Sequence, residues 1–230
     1  MIPKKTQEKI YDEAISGAVK EIGEGLTTIT RFFLSPLKIL ESAQPRIDKM
    51  FLRIGERVAE EDRVQAPPEL IGPVLEKLKF ISDKSELWEM FEELLTKAID
   101  RNQFHAVHPS FGQIISQLSP DEAILLSELK LRSFKITDKL DLDKSLNKFT
   151  NRIILNSEIP VEKLNYPQKL YLYTSHLESL SLVIWPVEKQ TPIRENNIHI
   201  GIERQSILQL TEFGEMFAEA CIPENSFQNQ

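Results

Sequence analysis

Apolar positions recur at helical spacing through most of the first 130 residues and lose that period afterwards. From Ile15 the stripe runs through Ala18, Val19, Ile22, Leu26, Ile29, Phe33, Leu37 and Leu40, the signature of one amphipathic face. Lys20, Glu21, Glu24 and Arg31 lie on the other side. Pro36 ends or kinks this helix, because an interior proline removes a hydrogen bond and crowds the preceding turn, and Pro45 marks a second break. Residues 46–60 repeat the pattern through Ile47, Met50, Phe51, Ile54 and Val58.

The stretch Val64-Gln-Ala-Pro-Pro-Glu-Leu-Ile-Gly-Pro73 is strong punctuation, and it predicts a helix over 74–80 with Pro73 in its first turn. A further helix over 85–99 turns Leu87, Trp88, Phe91, Leu94, Leu95 and Ala98 inward. It leaves Glu86, Glu89, Glu92 and Glu93 to solvent, with Lys97 near its end. A short helix over 111–118 follows. Ser119-Pro120-Asp121-Glu122 then reads as a helix start: hydroxyl cap, proline at the first position, acids behind.

Past residue 131 the pattern is weaker. Residues 133–142 alternate briefly, as a strand or an irregular segment, and 147–156 fit neither period. Tyr166-Pro167 opens a helix with Leu170, Leu172, Tyr173 and Leu177 on one face. Residues 179–185 read as a strand, a polar loop carries Pro186 and Pro192, and 199–210 read as the returning strand. Thr211 caps a last helix over 212–220.

Helix, helix, strand, loop, strand, helix is the order of a winged-helix module. The fold class this predicts is mainly α: an N-terminal helical region followed by a winged-helix-like α+β module with a small β-hairpin wing. The expected division is amphipathic helices over 1–63, a central helical segment over 64–118, the winged-helix-like domain over 119–222 and a disordered tail over 223–230. In Leu210-Thr-Glu-Phe-Gly214 the threonine caps and Gly214 permits close backbone approach.

Charge then narrows the use of such a module. The chain has 230 residues, 41% hydrophobic and 27% charged, with a net charge of −7, which is globular composition without a basic footprint. Residues 166–180, in the place of a recognition helix, carry Lys169 and His176 against Glu178. The expected wing balances Lys189 and Arg194 with Glu188 and Glu195. Groove readers supply several basic or amide contacts, so this surface favours a protein partner over nucleic acid.

The lone cysteine, Cys221, excludes an intramolecular disulfide and suits a reducing compartment, the cytoplasm. No signal peptide and no spanning apolar run is visible. His105 and His108 are spaced for a metal but lack the further ligands zinc takes, so they read as packing or capping groups. There is no nucleophile elbow and no phosphate-binding glycine loop. The expectation is no catalytic residue, no metal and no cofactor. Candidate interaction residues are Trp88, His105, His108, Lys169 and His176.

Four phrases together resemble the Abi-alpha family of bacterial proteins. They are Val64-Gln-Ala-Pro-Pro-Glu-Leu-Ile-Gly-Pro-Val-Leu-Glu-Lys-Leu78, Leu87-Trp-Glu-Met-Phe-Glu-Glu-Leu-Leu95, His108-Pro-Ser-Phe-Gly-Gln-Ile-Ile-Ser-Gln-Leu-Ser-Pro-Asp-Glu-Ala123 and Leu210-Thr-Glu-Phe-Gly-Glu-Met-Phe-Ala-Glu-Ala-Cys221. Before the strand that follows Leu177, the family tends to have a basic residue and a glycine, where this chain has serines. The resemblance implies a part in abortive infection, the phage-resistance response, and supplies no catalytic residue.

Three functions stay open: a non-enzymatic defence protein acting through protein partners, a winged-helix DNA-binding regulator, and a membrane-active effector using residues 14–40. Association of the chain with itself is also compatible with the sequence.

Overall fold

The computed structural model describes residues 43–225 and 227; the expected first helix, with its membrane-active use, and half of the expected tail lie outside them. Helix α1 (Ala43–Arg57) buries Ala43, Ile47, Met50 and Ile54, with Pro45 inside its first turn, where a missing N–H costs nothing. Helix α2 (Pro68–Leu78) starts earlier than predicted, with Pro68 opening it and Pro73 inside. The double proline therefore begins the helix rather than preceding it.

Helix α3 (Glu86–Ile99) is capped by the Ser85 hydroxyl and buries Trp88, Phe91, Leu94, Leu95 and Ala98. Glu93 and Lys97, expected toward solvent and near the helix end, are both buried. They are paired at 3.6 Å, with Arg57 also on Glu93 at 2.6 Å.

The short helix α4 (Phe111–Ile115) leads into α5 (Pro120–Leu131). Here Ser119 and Glu122 form a reciprocal capping box. All these helices contribute to one apolar core, which also takes in Phe134, Ile136, Leu177, Val183, Leu208 and Phe217.

The second half departs from expectation. Strands β1 (Phe134–Asp143) and β2 (Lys148–Ser157) form a long hairpin. After helix α6 (Leu170–Ser179) and the short β3 (Val183–Ile184), strands β4 (Val187–Glu195) and β5 (Ile198–Leu210) form a second. The hairpins join through antiparallel β1 and β5, and β3 continues the β4 edge along β5.

Of the described residues about 48% are helical and 25% are in strands, with a five-stranded antiparallel sheet and seven helices. This is an α+β fold, not a mainly α chain with a small hairpin wing. The expected polar loop is the nine-residue β4. Pro192 within it faces Ile202 across an edge strand, where its missing donor costs no ladder bond. Residue Ser179 ends α6 rather than opening a strand.

Both hairpin tips, 144–147 and Asn196 with Asn197, lie at the end of the sheet away from the helices. Asn147, Asn196 and Asn197 take left-handed φ of 47°, 47° and 65°, as tight hairpin turns require. The core holds the near end through Phe134, Ile136 and Leu208. Beyond Asp138 the sheet continues for about five residues, roughly 17 Å, with most of β2 and β4 exposed.

Helix α7 (Glu212–Cys221) closes the chain, its cap formed by Thr211 Oγ1 accepting from Gly214 N at 2.8 Å. Gly214 is required by space: a Cβ there would meet the Leu182 carbonyl oxygen at 1.9 Å. Lys97 and Lys130 donate to the carbonyls of Glu219 and Ile222 at this helix's C-terminal end. Burial pushes the Lys130 ammonium below its usual value. Cys221 is fully buried, and burial pushes its thiol well up.

Candidate functional site

The start of α5 and the inner face of α6 enclose a pocket of about 370 Å³. Its floor is built by the capping box. Glu122 Oε2 accepts from Ser119 N and Oγ at 2.7 and 2.8 Å, and Glu122 Oε1 accepts from His176 Nδ1 at 2.6 Å. A carboxylate accepts only, so Nδ1 carries the hydrogen and the ring is held by its inner nitrogen.

Asp121, 2% exposed, receives four donors. Asn165 N and Nδ2 reach Oδ1 at 2.8 Å each; Tyr166 N and the Tyr173 hydroxyl reach Oδ2 at 2.9 and 2.7 Å. Burial alone would raise the Asp121 pKa, but these bonds outweigh it and hold the carboxyl below its usual range. Burial, then the bond to Asp121, pushes the Tyr173 phenol up to about 12.

The two acids thus pin residues 165–176 onto α5, and their oxygens are largely spent on that task. Lys169 sits at the pocket rim, its Nζ 4.9 Å from the Tyr166 ring centroid. So Lys169 and His176, two of the candidate residues, come together.

The other three lie elsewhere. Trp88 is buried under Arg46, 5.2 Å from its ring centroid. Its Nε1 is the one buried side-chain polar atom without a hydrogen-bond partner among the described residues. It borders a broad charged cleft with Arg53, Arg57, Glu92 and Glu93. His105 is exposed in a 3₁₀ turn. His108 takes a bond from Ser110 N at 3.2 Å and packs against Phe111 and Phe213 at 5.6 and 6.4 Å. Among the described residues no group of three His, Cys, Asp or Glu is placed to hold a metal ion.

A second constellation, absent from the sequence reading, sits on the sheet face toward α6, where the apolar core gives out. Asp138 is 0% exposed and bonded to two arginines. Arg204 Nε and Nη2 reach its two oxygens at 2.9 Å each, and Arg152 Nε also bonds Oδ2. Burial would raise the Asp138 pKa, yet the guanidinium of Arg204 and that of Arg152 lower it. Arg152 also lies over the rings of Tyr171 and Trp185, at 4.9 and 4.7 Å from their centroids. Trp185 is fixed by its Nε1 bond to Ser206 Oγ at 2.7 Å. No local motif announces this site, because its members come from β1, β2, β5, α6 and the turn after β3.

The architecture defines a helical α+β domain that carries a protruding antiparallel sheet and a braced pocket. The family model named abortive infection alpha matches residues 42–221, and the chain belongs to that family, which ties it to abortive infection. No curated protein and no solved structure matches the chain. Among the described residues no helix is long and apolar enough to cross a membrane.

Proposed function

We propose that this chain is a phage-defence protein that acts by docking a protein partner on its projecting sheet. The observation that carries the reading is the exposed apolar content of β2: Phe149, Ile153, Ile154 and Leu155 are between 37% and 52% exposed on an edge strand. Ile154 and Phe149 share the Asp138 face while Ile153 and Leu155 lie on the other, so this edge strand offers large apolar side chains on both faces, a contact surface rather than a core.

The opposite edge is guarded. Strand β4 carries Glu188, Lys189, Pro192, Arg194 and Glu195, the residues that discourage strand addition. The pocket supports the same reading from the other side: its two carboxylates serve the capping box and the 165–166 loop, a bracing role. The balanced charge of β4, Glu188 and Glu195 against Lys189 and Arg194, favours a protein partner over DNA.

Plaquing of a phage panel on cells with and without the gene tests the defence role, and an Ile153→Ser/Leu155→Ser variant tests the surface. Reduced plaquing with the wild-type gene, restored by a stably folded variant, is the expected result. Unchanged plaquing across the panel, or full protection by the variant, contradicts the proposal.

A further inference from the structure

We infer that Arg152 and Arg204, organised by Asp138 on the Tyr171–Trp185 floor, form a clamp for a carboxylate of an acidic peptide segment. The inference rests on the docking reading above and names the chemistry of the partner. Two guanidiniums share a single carboxylate, leaving one positive charge in excess, in a chain of net charge −7. Their side chains stay 29% and 24% exposed. Arg152 spends only Nε on Asp138, and Arg204 spends Nε and Nη2. Of the five N–H donors each guanidinium carries, several remain for an acceptor arriving from solvent.

The backbone is shaped to aim Arg152. Lys139 pairs with Ile153 and Asp141 with Thr150, so Asn151 and Arg152 together oppose the single residue Leu140. Asn151 takes a left-handed φ of 52°. Such a bulge redirects a side chain, and this one lays the guanidinium over two rings inclined by only 11°. A guanidinium held by a buried carboxylate and an aromatic floor has lost its rotamer freedom before a ligand arrives. Arginine, tyrosine and tryptophan together are also the composition of interface hot spots.

A carboxylate is favoured over a nucleobase because Arg152 already covers the ring faces that a base would stack on. The clamp also stands without a row of further cations to follow a phosphate chain: Asp138 faces Ile154 on β2, and Arg204 faces Gln190 on β4. Exposed Ile154 and Val187, which pairs with Ser206, give the apolar neighbours of that carboxylate a place to rest.

The test uses the full chain and fluorescein-labelled short peptides in which Glu alternates with Leu, against peptides with Gln in place of Glu. Oligothymidylate and inorganic phosphate serve as competitors. The Glu peptide is expected to bind about tenfold or more tighter than the Gln peptide, as loss of a charge-assisted hydrogen bond implies. Arg152→Gln should remove that preference. Ile154→Glu, which removes no atom bonded to Asp138 and sets a carboxylate beside the clamp, should weaken the Glu peptide by repulsion and by competing for the guanidiniums, so the question survives if the first variant fails to fold.

Equal binding of the two peptides, or wild-type binding by both variants, overturns the clamp. Displacement of the peptide by phosphate or oligothymidylate at lower concentrations than by free Glu peptide overturns the carboxylate assignment. A wild-type protein that restricts plaquing yet binds no acidic peptide sinks this inference and leaves the defence reading standing. Selective peptide binding without any effect on plaquing supports the clamp and counts against defence.

Discussion

Asp121→Asn removes one carboxylate oxygen from the best-satisfied buried acid of the pocket. The remaining carbonyl oxygen keeps two of the four donors, and the new amide group faces the other two. Tyr173 is buried and Asn165 exposed, so the retained oxygen stays with the Tyr173 hydroxyl and Tyr166 N. Asn165 then turns to water. Two hydrogen bonds to a charged acceptor, each worth ~1.5–3 kcal/mol and partly replaced by water, amount to a loss of roughly 2–3 kcal/mol. For a domain of this size that lowers the melting midpoint by roughly 4–10 °C, readable by circular dichroism.

The pH dependence gives a second readout. Because the folded carboxyl titrates below its ordinary range, its contribution is fully present above the unfolded value near ~4. It is lost as pH falls through the lowered folded value. The stability gap between wild type and Asp121→Asn should therefore narrow below about pH 4. A melting midpoint equal to wild type at neutral pH, or a gap that widens in acid, would refute the reasoning.

Two further substitutions probe the join between α6 and α7. Ser181 holds a left-handed φ of 59° just after α6 while Leu182 N donates to Leu177 O, the terminator geometry that favours glycine. Ser181→Gly should raise stability by about 0.5 kcal/mol, the relief of strain exceeding the extra freedom of the unfolded chain, and a lower urea midpoint would count against this. Gly214→Ala drives a Cβ into the Leu182 carbonyl, which also accepts from Thr211 N at 3.0 Å. A loss of about 3 kcal/mol is expected, and a neutral effect on the urea midpoint would show that the two segments separate easily.

Much of the helical half was legible in the sequence because its faces are one-sided. Ile47, Met50 and Ile54 repeat at helical spacing since only one side of α1 meets the core, and Ser119 and Thr211 cap as their hydroxyls predict. The sheet was not legible for the opposite reason. Beyond Asp138 only Gly201 and Ile202 of β5 stay buried and most of β2 is exposed, so β2 places Phe149, Arg152, Ile153 and Leu155 without a two-residue period, and its bulges break the alternation again. Pro192 argued for a loop and sits on an edge strand instead. The pair Asn196-Asn197 was the overlooked turn signal.

The site was half legible. Lys169 and His176 stand out in the sequence as the basic groups of one helix, and the fold brings them into one pocket. Asp121 and Glu122 read from the sequence as acids behind a helix start, and Glu122 does complete the capping box while also holding His176. Nothing local pointed from Asp121 to Asn165 or from Glu122 to His176, whose separations along the chain are 44 and 54 residues. Asp138, Arg152 and Arg204 were missed because charges in an exposed strand ordinarily face water, and only the assembled sheet buries the aspartate.

The most direct test of the account sets the sheet against the pocket in one plating experiment. Efficiency of plating is measured on cells carrying the wild-type gene, Ile153→Ser/Leu155→Ser, or Lys169→Glu/Leu172→Gln, which alters exposed positions at the pocket, with folding of each checked by melting. The sheet variant should lose protection while the pocket variant keeps it. Protection lost in the pocket variant and retained in the sheet variant would contradict docking on the sheet and place the activity in the pocket.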